Sequence, residues 1–449
     1  MPRKYFGTDG IRGEYGVAPL TNNFFIVLGM AIAKSLLSSK DCKKKILFGA
    51  DTRESCNQII SLISQGLNKE SCEISNAGIV PTPAIAYYSK KENFDLGIMV
   101  SASHNLYQDN GIKIFNNNGF KISFDNENYI ENYIETILNQ DNSHDKSKVN
   151  IQDISKKVEQ DYIKFCLQTL QGKIFKKNRI TLDLANGANY KIAHKVFTEA
   201  GFDIRVHNDD PNGKNINDKC GSTYIDKLPE LIKSDESDFG ISMDGDGDRL
   251  VVVDKNSRVL DGDDILYTIV RGKKINNEMI SGVVGTTMTN CALEHYLKDE
   301  DINFIRTNVG DKYVLEEMLK IGCSLGGETS GHILMLEHST SGDSLIAALQ
   351  FLYYSDILNK NNAGELLKKY PQKITNLLID RNLPENIINI AIKEASDKYT
   401  ADSLRLIIRK SGTENCIRIM VEAKDKSIVD KMSLQIKDYI EGKLKKLLL

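Results

Sequence analysis

Residues 239–253 read FGISMDGDGDRLVVV, and this stretch determines how the middle of the chain folds. Two apolar runs, Phe239–Met243 and Leu250–Val253, flank the acidic segment Asp244–Arg249, which is typical of a strand, a tight loop and a second strand. Such a short loop directs three carboxylates toward one point, and their repulsion is costly unless a cation lies among them. Arg249 adds a fixed positive charge that suits a phosphate. The stretch therefore predicts a divalent-cation site, with Mg²⁺ as the first choice, open toward an anionic ligand.

Two other interpretations of this segment compete with an open cation site. A calcium loop of the EF-hand type also begins with alternating aspartates. Counted from Asp244, however, its sixth position would be Arg249 instead of glycine, and its twelfth would be Lys255 instead of glutamate. The other alternative is a solvated acidic turn, which the strict alternation of aspartate and glycine between apolar strands disfavours.

Composition bounds the class of protein. A chain of 449 residues is too long for one hydrophobic core, which predicts two to four domains. The net charge of -3 argues against nucleic acid or an anionic membrane as a partner held by bulk electrostatics. No apolar run approaches the ~20 residues that span a bilayer, and the N-terminus has no signal-peptide pattern. The 8 cysteines are scattered without metal-ligand spacing, which indicates packing residues in a reduced cytoplasm and no structural zinc.

Apolar strand patterns alternate with helical patterns through most of the chain. The predicted strands are Lys45–Gly49, Cys72–Ser75, Leu96–Val100, Arg179–Leu184, Asp203–His207, Gly282–Gly285, Asn303–Thr307, Ile374–Ile379, Ser403–Arg409 and Cys416–Glu422. The predicted helices are Ser55–Leu67, Tyr190–Ala200, Asn290–Lys298, Tyr313–Ile321, Glu385–Tyr399 and Lys426–Leu447. We also expect a turn at Pro81–Pro83 and a surface loop at Asp141–Lys148. This order predicts three α/β domains, residues 1–152, 153–256 and 257–370, and a smaller α+β domain, residues 371–449.

A serine stands where α/β domains build their sites, at the carboxyl end of a predicted strand. Ser103 belongs to the run Ser101–Asn105, and its small neighbours predict an accessible hydroxyl. Lys113 follows a turn at Asp109–Gly111 and can return to the same pocket. A serine hydrolase is a rival interpretation, but neither Gly-x-Ser-x-Gly nor Ser-x-x-Lys occurs in this segment.

Two further loops offer groups that can bind a polar or anionic ligand. The glycine-rich run Gly326–His332 contains Glu328 and Ser330, which can bind sugar hydroxyls. The run Arg409–Asn415 joins two predicted strands, and Arg418 follows it. Two arginines, two hydroxyls and glycine-exposed amides suit a phosphate. The less favoured alternatives are an ordinary polar turn for the first loop and a charged, solvated hairpin for the second.

Five segments, taken in order, resemble the landmarks of the α-D-phosphohexomutase superfamily, and the likeness is greatest to its bacterial phosphoglucosamine mutases. They are Tyr5–Gly13, Ser101–Asn105, Asp244–Arg249, Gly327–His332 and Arg409–Glu414. Shorter stretches agree at Ala185–Ala188, Val309–Tyr313 and Ser341–Asp343. The resemblance covers essentially the whole chain. It implies three related α/β domains with mixed sheets and a C-terminal α+β domain of the TATA-binding-protein-like class around a central cleft.

The resemblance also implies roles for individual residues. Ser103 would carry the transferable phosphate as phosphoserine. One Mg²⁺ would be held by Ser103, Asp244, Asp246 and Asp248. The catalytic set around the reacting phosphate would be Ser103, His104, Lys113, Arg249 and Arg12, with His332 as a candidate for proton transfer. The substrate would contact Glu328, Ser330, Arg409, Ser411, Gly412, Thr413 and Arg418.

The implied reaction is the reversible conversion of glucosamine 6-phosphate to glucosamine 1-phosphate. It would proceed through phosphoserine and a glucosamine or glucose 1,6-bisphosphate, and it would supply UDP-N-acetylglucosamine for the cell envelope. We expect a cytoplasmic monomer or homodimer whose partner is a hexosamine phosphate, without nucleic acid or membrane. The alternatives are a phosphoglucomutase or phosphomannomutase, a non-catalytic phosphosugar-binding protein, and a metal-dependent phosphatase that would release inorganic phosphate.

Three positions depart from the superfamily pattern. Leu106 and Asn415 stand where proline is usual, and Thr329 stands where asparagine or glutamine is more common. None of these changes removes a functional group from the expected site. Thr329 bears on sugar recognition, because it lies in the loop with Glu328.

Overall fold

The computed structural model describes residues 4–7, 9–36, 44–68, 72–138, 149–176, 178–362, 364–380, 383–411 and 415–448. The strands are β1 Phe6–Gly7, β2 Gly10–Glu14, β3 Lys45–Ala50, β4 Glu73–Ile79, β5 Leu96–Val100, β6 Asp109–Asn116, β7 Ile151–Asp153, β8 Arg179–Asp183, β9 Asp203–His207, β10 Phe239–Met243, β11 Leu250–Asp254, β12 Val259–Leu260, β13 Val283–Thr286, β14 Phe304–Thr307, β15 Leu325–Gly327, β16 Ile333–Met335, β17 Gln372–Leu378, β18 Arg405–Lys410 and β19 Cys416–Glu422. The helices are α1 Asn22–Leu36, α2 Cys56–Leu67, α3 Thr82–Lys91, α4 Phe124–Leu138, α5 Ser155–Gln168, α6 Ile192–Glu199, α7 Leu228–Ser234, α8 Gly262–Ile275, α9 Cys291–Asp299, α10 Asp311–Ile321, α11 Ser344–Lys360, α12 Glu385–Tyr399 and α13 Lys426–Leu448.

The first sheet is mixed and has the order β1-β2-β6-β5-β3-β4-β7. Its central strands β3 and β5 are parallel, and Ala50 on β3 lies opposite Val100 on β5. Every residue of β5 is buried, as expected for a strand covered on both faces. The parallel register places the residues after both strands side by side at one edge of the sheet. The segment that begins at Asp51 therefore lies next to the serine segment.

The second and third sheets each contain a hairpin that carries a predicted loop. In the order β12-β11-β10-β8-β9, β10 and β11 are antiparallel, and Met243 pairs with Leu250 around the acidic loop, Asp244–Arg249. In the order β14-β13-β15-β16, β15 and β16 are antiparallel, and Gly327 pairs with Ile333. Both hairpins are attached to parallel strands. The prediction of mixed α/β sheets is confirmed.

The contacts divide the chain into two compact units. One unit comprises Met1–Met288 and Asn303–Gly364, and the other comprises Thr289–Ile302 and Glu365–Leu449. In the second unit, α12 and α13 pack their apolar residues against the antiparallel sheet β17-β19-β18. This part confirms the prediction of a C-terminal α+β fold. The residue boundaries of the four predicted domains stay a prediction.

The structure differs from the sequence expectations at two kinds of position. Pro81–Pro83 is not a free turn, because α3 begins at Thr82 with Pro83 in its first turn, where the missing N–H costs nothing. Helices α1, α3, α4, α5, α7, α8 and α11 were not predicted. Helix α11 is buried for most of its length, so its apolar residues show no clear period. The predicted surface loop Asp141–Lys148 lies outside the described residues.

Two observations on the described residues bear on the predictions from composition. Seven cysteines are described, and all are free thiols, six of them buried. None of the described helices is both long enough and apolar enough to cross a bilayer.

Candidate active site

The three aspartates of the acidic loop form one buried cluster. Asp244, Asp246 and Asp248 each offer a carboxylate oxygen, and these oxygens lie within 4.8 Å of one another. Each residue is at most 2% exposed. Burial and the charges on Asp248 and Asp246 raise the pKa of Asp244 well above its usual range. The sequence prediction that this loop gathers its carboxylates at one point is confirmed.

The donor set of the cluster fits a small hard cation. Asp246 Oδ1 and Asp248 Oδ1 are buried and have no hydrogen-bond partner. A buried carboxylate oxygen without a partner carries a desolvation cost, which coordination to a cation removes. The backbone holds the loop in shape without these oxygens, because Asp244 Oδ1 accepts from Asp248 N at 3.1 Å and from Arg249 N at 3.2 Å. The cluster can therefore accept a divalent cation such as Mg²⁺.

Lys113 supplies a fixed positive charge at the edge of the cluster. Its Nζ donates to Asp246 Oδ2 and to Asp248 Oδ2, both at 2.8 Å. Burial opposes this charge, but the carboxylates of Asp246 and Asp248 raise the pKa of Lys113 well above its usual range. Lys113 reaches the cluster because β6, which carries it, pairs with β5 and returns toward the serine. The expectation that it shares the pocket of Ser103 is confirmed.

The serine hydroxyl meets the acidic cluster directly. Ser103 Oγ donates to Asp244 Oδ2 at 2.7 Å and lies 3.3 Å from His104 Nδ1. The expectation that this hydroxyl is accessible is wrong for this conformation, because Ser103 is fully buried. The acidic loop covers it, and a Cβ on Gly245 would lie 2.7 Å from the carbonyl oxygen of Ser103. The two loops therefore touch through backbone atoms.

Sequence reasoning missed the residues that hold the serine in place. Ser101 Oγ donates to Asp51 at 2.6 Å and accepts from Ser103 N at 2.9 Å. Arg53 forms a fully buried ion pair with Asp51 at 2.9 Å and donates to the carbonyl of Ser103 at 3.1 Å. Asn217 donates to the same carbonyl at 2.9 Å. The only sequence signal was the position of Asp51–Arg53 after a predicted strand, and Asn217 had none.

Two cations and an imidazole surround the cluster. Arg249 Nε lies 3.8 Å from Asp248 Oδ1, and Arg12 donates to Asp9 at 2.5 Å. Burial, together with the charges of Arg249 and Arg12, lowers the pKa of His104 to about 4. The imidazole is therefore neutral near pH 7, and a neutral imidazole has one ring nitrogen that can accept a proton. The predicted catalytic residues of the first unit thus come together in one place.

His332 lies between two carboxylates. Its Nδ1 is 3.7 Å from Asp248 Oδ1, and its Nε2 is 3.8 Å from Asp311 Oδ2. Burial opposes a positive charge, but Asp248 and Asp311 raise the pKa of His332. A Cβ on Gly342 would lie 2.4 Å from the imidazole, so glycine is needed there. His332 therefore remains part of the buried site, as predicted.

A closed chain of opposite charges links these groups, and the sequence did not predict it. Asp9 contacts Lys113 at 3.1 Å and also pairs with Lys121, which in turn pairs with Asp311. Asp311 faces His332, His332 faces Asp248, and Asp248 accepts from Lys113. Burial opposes ionisation of Asp9, but Lys113 and Lys121 lower its pKa well below the usual range. These charges come from segments more than 200 residues apart.

The loop with Glu328 is positioned by close backbone contacts. Glu328 is 7% exposed, and its Oε1 accepts from Gly310 N at 2.9 Å. Gly331 has φ +88 and leaves no space for a Cβ, which would lie 1.8 Å from the carbonyl oxygen of Leu250. Ser330 is exposed beside it. The hydroxyl of Thr329 donates to Asp263 at 3.2 Å.

In the second unit, two arginines face each other across neighbouring strands. Arg409 on β18 lies directly opposite Arg418 on β19. Like charges at such positions repel each other, so a phosphate between them would be favourable. Ser411 is buried next to them, and its N–H donates to the carbonyl of Cys416 at 2.8 Å. Gly412 and Thr413 lie outside the described residues.

Four domain families match successive parts of this chain. They are the alpha/beta/alpha domains I, II and III of phosphoglucomutase/phosphomannomutase, at residues 3–141, 160–258 and 261–374, and the C-terminal domain of the same family, at residues 364–438.

Relatives with curated names match over nearly the whole length. A phosphoglucosamine mutase of Pseudomonas fluorescens (strain Pf0-1) is 41% identical and covers 96% of each chain. A phosphoglucosamine mutase 2 of Shewanella frigidimarina (strain NCIMB 400) is 40% identical, over 95% of this chain and 96% of the relative. A crystal structure of a phosphoglucomutase/phosphomannomutase family protein from Burkholderia thailandensis has a TM-score of 0.79 at 17% identity, over 98% of this chain and 97% of the other. A crystal structure of an N-acetylphosphoglucosamine mutase from Aspergillus fumigatus, in complex with GlcNAc-6P and magnesium, has a TM-score of 0.65 at 17% identity. The match covers 98% of this chain and 96% of the other. The two solved structures share the fold, and the curated relatives together with the four domain matches show that this chain belongs to the phosphoglucosamine mutases of the phosphohexomutase superfamily.

Proposed function

We propose that this chain interconverts glucosamine 6-phosphate and glucosamine 1-phosphate, with Ser103 as the residue that stores the phosphoryl group. The observation that carries the proposal is the contact of Ser103 Oγ with Asp244 at 2.7 Å, inside a buried carboxylate cluster that Lys113 borders. No other described serine touches that cluster through its hydroxyl. Family membership supports the same reaction.

The chemistry asks for charge neutralisation more than for covalent help from the protein. Phosphoryl transfer has a loose transition state with charge on the peripheral oxygens, so positioned cations dominate catalysis. Asp244, Asp246 and Asp248 would hold one Mg²⁺, which would withdraw charge from a phosphoryl group on Ser103. Lys113, Arg249 and Arg12 provide fixed positive charge around the same point.

The proposed transfer balances between the serine and a sugar hydroxyl. The P–O bond to Ser103 Oγ breaks as a bond forms from phosphorus to the hydroxyl oxygen, and the proton of that hydroxyl ends on Ser103 Oγ. His104 Nδ1 lies 3.3 Å from Ser103 Oγ and is neutral near pH 7, so it can relay this proton. The hexose 1,6-bisphosphate formed in this way then returns its other phosphate to Ser103.

Substrate recognition is proposed to use two sites. Arg409, Ser411 and Arg418, with Gly412 and Thr413, would bind the phosphate that does not react. Glu328 and Ser330 would contact the sugar. The amine of glucosamine is largely protonated near neutral pH, and a carboxylate such as Glu328 favours it over a hydroxyl. We place this activity in the cytoplasm, with hexosamine phosphate as the small-molecule partner.

Two measurements test the proposal. Mass spectrometry of peptides from Val100–Lys113 should find one added phosphate on Ser103 after incubation with glucose 1,6-bisphosphate and Mg²⁺. Values of kcat/KM for glucosamine 6-phosphate, glucose 6-phosphate and mannose 6-phosphate should be highest for glucosamine 6-phosphate. A Ser103→Ala variant that kept substantial turnover would overturn the covalent route. Faster turnover of glucose or mannose phosphate would change the substrate but leave the route intact.

A further inference from the structure

We propose that Asn217 and Arg53 are positioning residues for the reacting serine. Both donate hydrogen bonds to the carbonyl oxygen of Ser103 and so fix the Ser103 hydroxyl beside the acidic loop. The inference rests on the proposed role of Ser103 as phosphoryl carrier. It concerns two side chains that touch neither the carboxylate cluster nor the expected sugar phosphate. Both act through the backbone of residue 103.

Ser103 needs such support because of its backbone conformation. Its φ is +53, in the left-handed region that a serine adopts rarely. A residue held in this region relaxes to negative φ unless its neighbours fix both peptide groups. Relaxation would rotate the Cα–Cβ bond and carry Oγ away from Asp244. The reactive position of the hydroxyl is therefore a property of the contacts around the peptide.

Two side chains donate hydrogen bonds to the carbonyl oxygen of Ser103. Arg53 Nη2 donates to Ser103 O at 3.1 Å, and Asn217 Nδ2 donates to it at 2.9 Å. A carbonyl oxygen has two lone pairs, so these two donors saturate it. The same two groups donate to the carbonyl of Asn105, at 2.8 Å from Arg53 and at 2.9 Å from Asn217. The carbonyls of residues 103 and 105, which flank His104 along the chain, are thus both bound by the same two side chains.

Arg53 and Asn217 are each held in place by further contacts. The Arg53 side chain is fully buried, and its Nε pairs with Asp51 Oδ2 at 2.9 Å. Asn217 is 5% exposed, and its own N–H donates to the carbonyl of Ala185 at 2.9 Å. The orientation of the Asn217 amide follows from its partners, since a flipped amide would set its oxygen against two carbonyl oxygens.

Asn217 also couples the serine to the acidic loop. A Cβ on Gly245 would lie 2.7 Å from Asn217 Nδ2 and 2.7 Å from the carbonyl oxygen of Ser103. The Asn217 amide therefore touches both loops at the point where they meet. Loss of this amide frees the serine peptide to shift relative to Asp244 without removing any group that binds a ligand. A shift of about 1 Å in a reacting group can slow a reaction on the order of 100-fold.

The test compares Asn217→Ala with Asn212→Ala, an exposed asparagine of the same segment whose side chain accepts only from Lys214 N. The rate at which glucose 1,6-bisphosphate phosphorylates Ser103 is followed by intact-protein mass, and kcat and KM for glucosamine 6-phosphate are measured with Mg²⁺. Thermal unfolding reports the folded fraction. Asn217→Ala should lower both the phosphorylation rate and kcat by about 10- to 100-fold, with KM within about threefold of the parent. Asn212→Ala should match the parent.

A second variant keeps the proposal testable if Asn217→Ala does not fold. Arg53→Lys retains the charge beside Asp51 but cannot span the carbonyls of residues 103 and 105, so it should show the same split between kcat and KM. Folded Asn217→Ala protein with the parent's phosphorylation rate and kcat would overturn the inference. Parent protein that takes no phosphate on Ser103 would overturn the proposed function instead, so the two failures are distinguishable.

Discussion

The two carboxylate oxygens of Asp246 differ in their contacts. Its Oδ2 accepts from Thr82 at 2.5 Å and from Lys113 at 2.8 Å, while Oδ1 has no hydrogen-bond partner. Asp246→Asn removes one negative charge from the cluster with little change in volume. Cation affinity depends on the charge of the ligands. The Mg²⁺ concentration that gives half-maximal activity should therefore rise by at least about tenfold, and kcat should fall.

Activity against free Mg²⁺ concentration and calorimetric titration of Mg²⁺ both measure this change. The matched control is Asp238→Asn, at the far end of the strand that leads into the acidic loop, where the carboxylate accepts from Arg179 N at 3.2 Å. Its Mg²⁺ dependence should equal that of the parent. Full activity of the parent in excess chelator would rule out the metal role altogether.

The sequence predicted residues of the site where chemistry and spacing are local. Three aspartates separated by single glycines share one loop whatever surrounds them, so their cluster followed from the motif alone. The pairing of Ser103 with Asp244 is between residues 141 apart, and the Lys121–Asp311 pair spans 190 residues. Such contacts depend on how domains pack together, which no local pattern contains. The burial of Ser103 was missed for the same reason.

At the scale of elements, the pairing of β18 with β19 determines the geometry of the phosphate clamp, the pair Arg409 and Arg418. Arg418→Ala removes one of two opposed guanidinium groups and relieves their repulsion, so the fold should lose little stability. A charge-assisted contact contributes about 1.5–3 kcal/mol, so KM for glucosamine 6-phosphate should rise roughly 10- to 150-fold.

Steady-state kinetics with the phosphorylated sugar give this number. Lys410→Ala is the control, because Lys410 follows Arg409 directly and points to the opposite face of the strand. It should leave KM within about twofold. An unchanged KM in Arg418→Ala would place the distal phosphate elsewhere.

The start of α11 offers a test of pH dependence. Asp343 Oδ1 accepts from Ile346 N at 3.0 Å, and Oδ2 accepts from the buried Tyr162 hydroxyl at 2.7 Å. Burial raises the pKa of Asp343 to about 6. The folded state therefore binds a proton on Asp343 more tightly than the unfolded state does. The resulting stabilisation of the fold is complete below the pKa of Asp343 in the unfolded chain, and it is lost as pH rises through about 6.

Asp343→Asn keeps an N-cap acceptor and removes the ionisation. The stability of the variant relative to the parent should therefore improve between pH 4 and pH 8, by roughly 3 kcal/mol at most. Urea unfolding of both proteins at several pH values measures the difference. A difference that is constant with pH would show that Asp343 does not titrate in this range.

Strands were predictable where turn-forming polar residues or glycines bound a short run of strand-forming residues. Strands Leu96–Val100, Asp203–His207, Phe239–Met243 and Cys416–Glu422 have the predicted ends. Helix α11 was missed because it is covered on nearly all sides, which erases the period of its apolar residues. Helix α3 was missed because Pro81–Pro83 has the composition of a turn, although proline is also favoured at the start of a helix.

At the scale of the whole molecule, the second unit joins residues that are distant along the chain. Glu422 is fully buried, and its Oε1 accepts from Cys291 N at 2.7 Å. Its Oε2 lies 3.5 Å from Arg405 Nη2. Glu422→Ala leaves a largely buried cation and a backbone N–H without this acceptor. The free energy of unfolding should fall by about 3 kcal/mol.

Urea unfolding monitored by circular dichroism checks this value. The control is Glu441→Ala, whose carboxylate pairs only with Lys437 at 3.8 Å on the exposed side of α13. That change should alter stability by about 0.5 kcal/mol or less. A Glu422→Ala variant as stable as the control would show that this contact contributes little to the second unit.

The same contact between Glu422 and Cys291 has a consequence for biosynthesis. Helix α9 belongs to the second unit, yet 131 residues separate Cys291 from the acceptor that caps it. At a translation rate of about 5–20 residues per second, roughly 7–26 s pass between the synthesis of these two residues. Late in that interval the apolar residues of β17 and β18 also lack the central strand β19, which pairs with both. Ribosome-bound chains that end before β19 should therefore bind chaperones more strongly than longer chains in which β19 has already emerged from the ribosome.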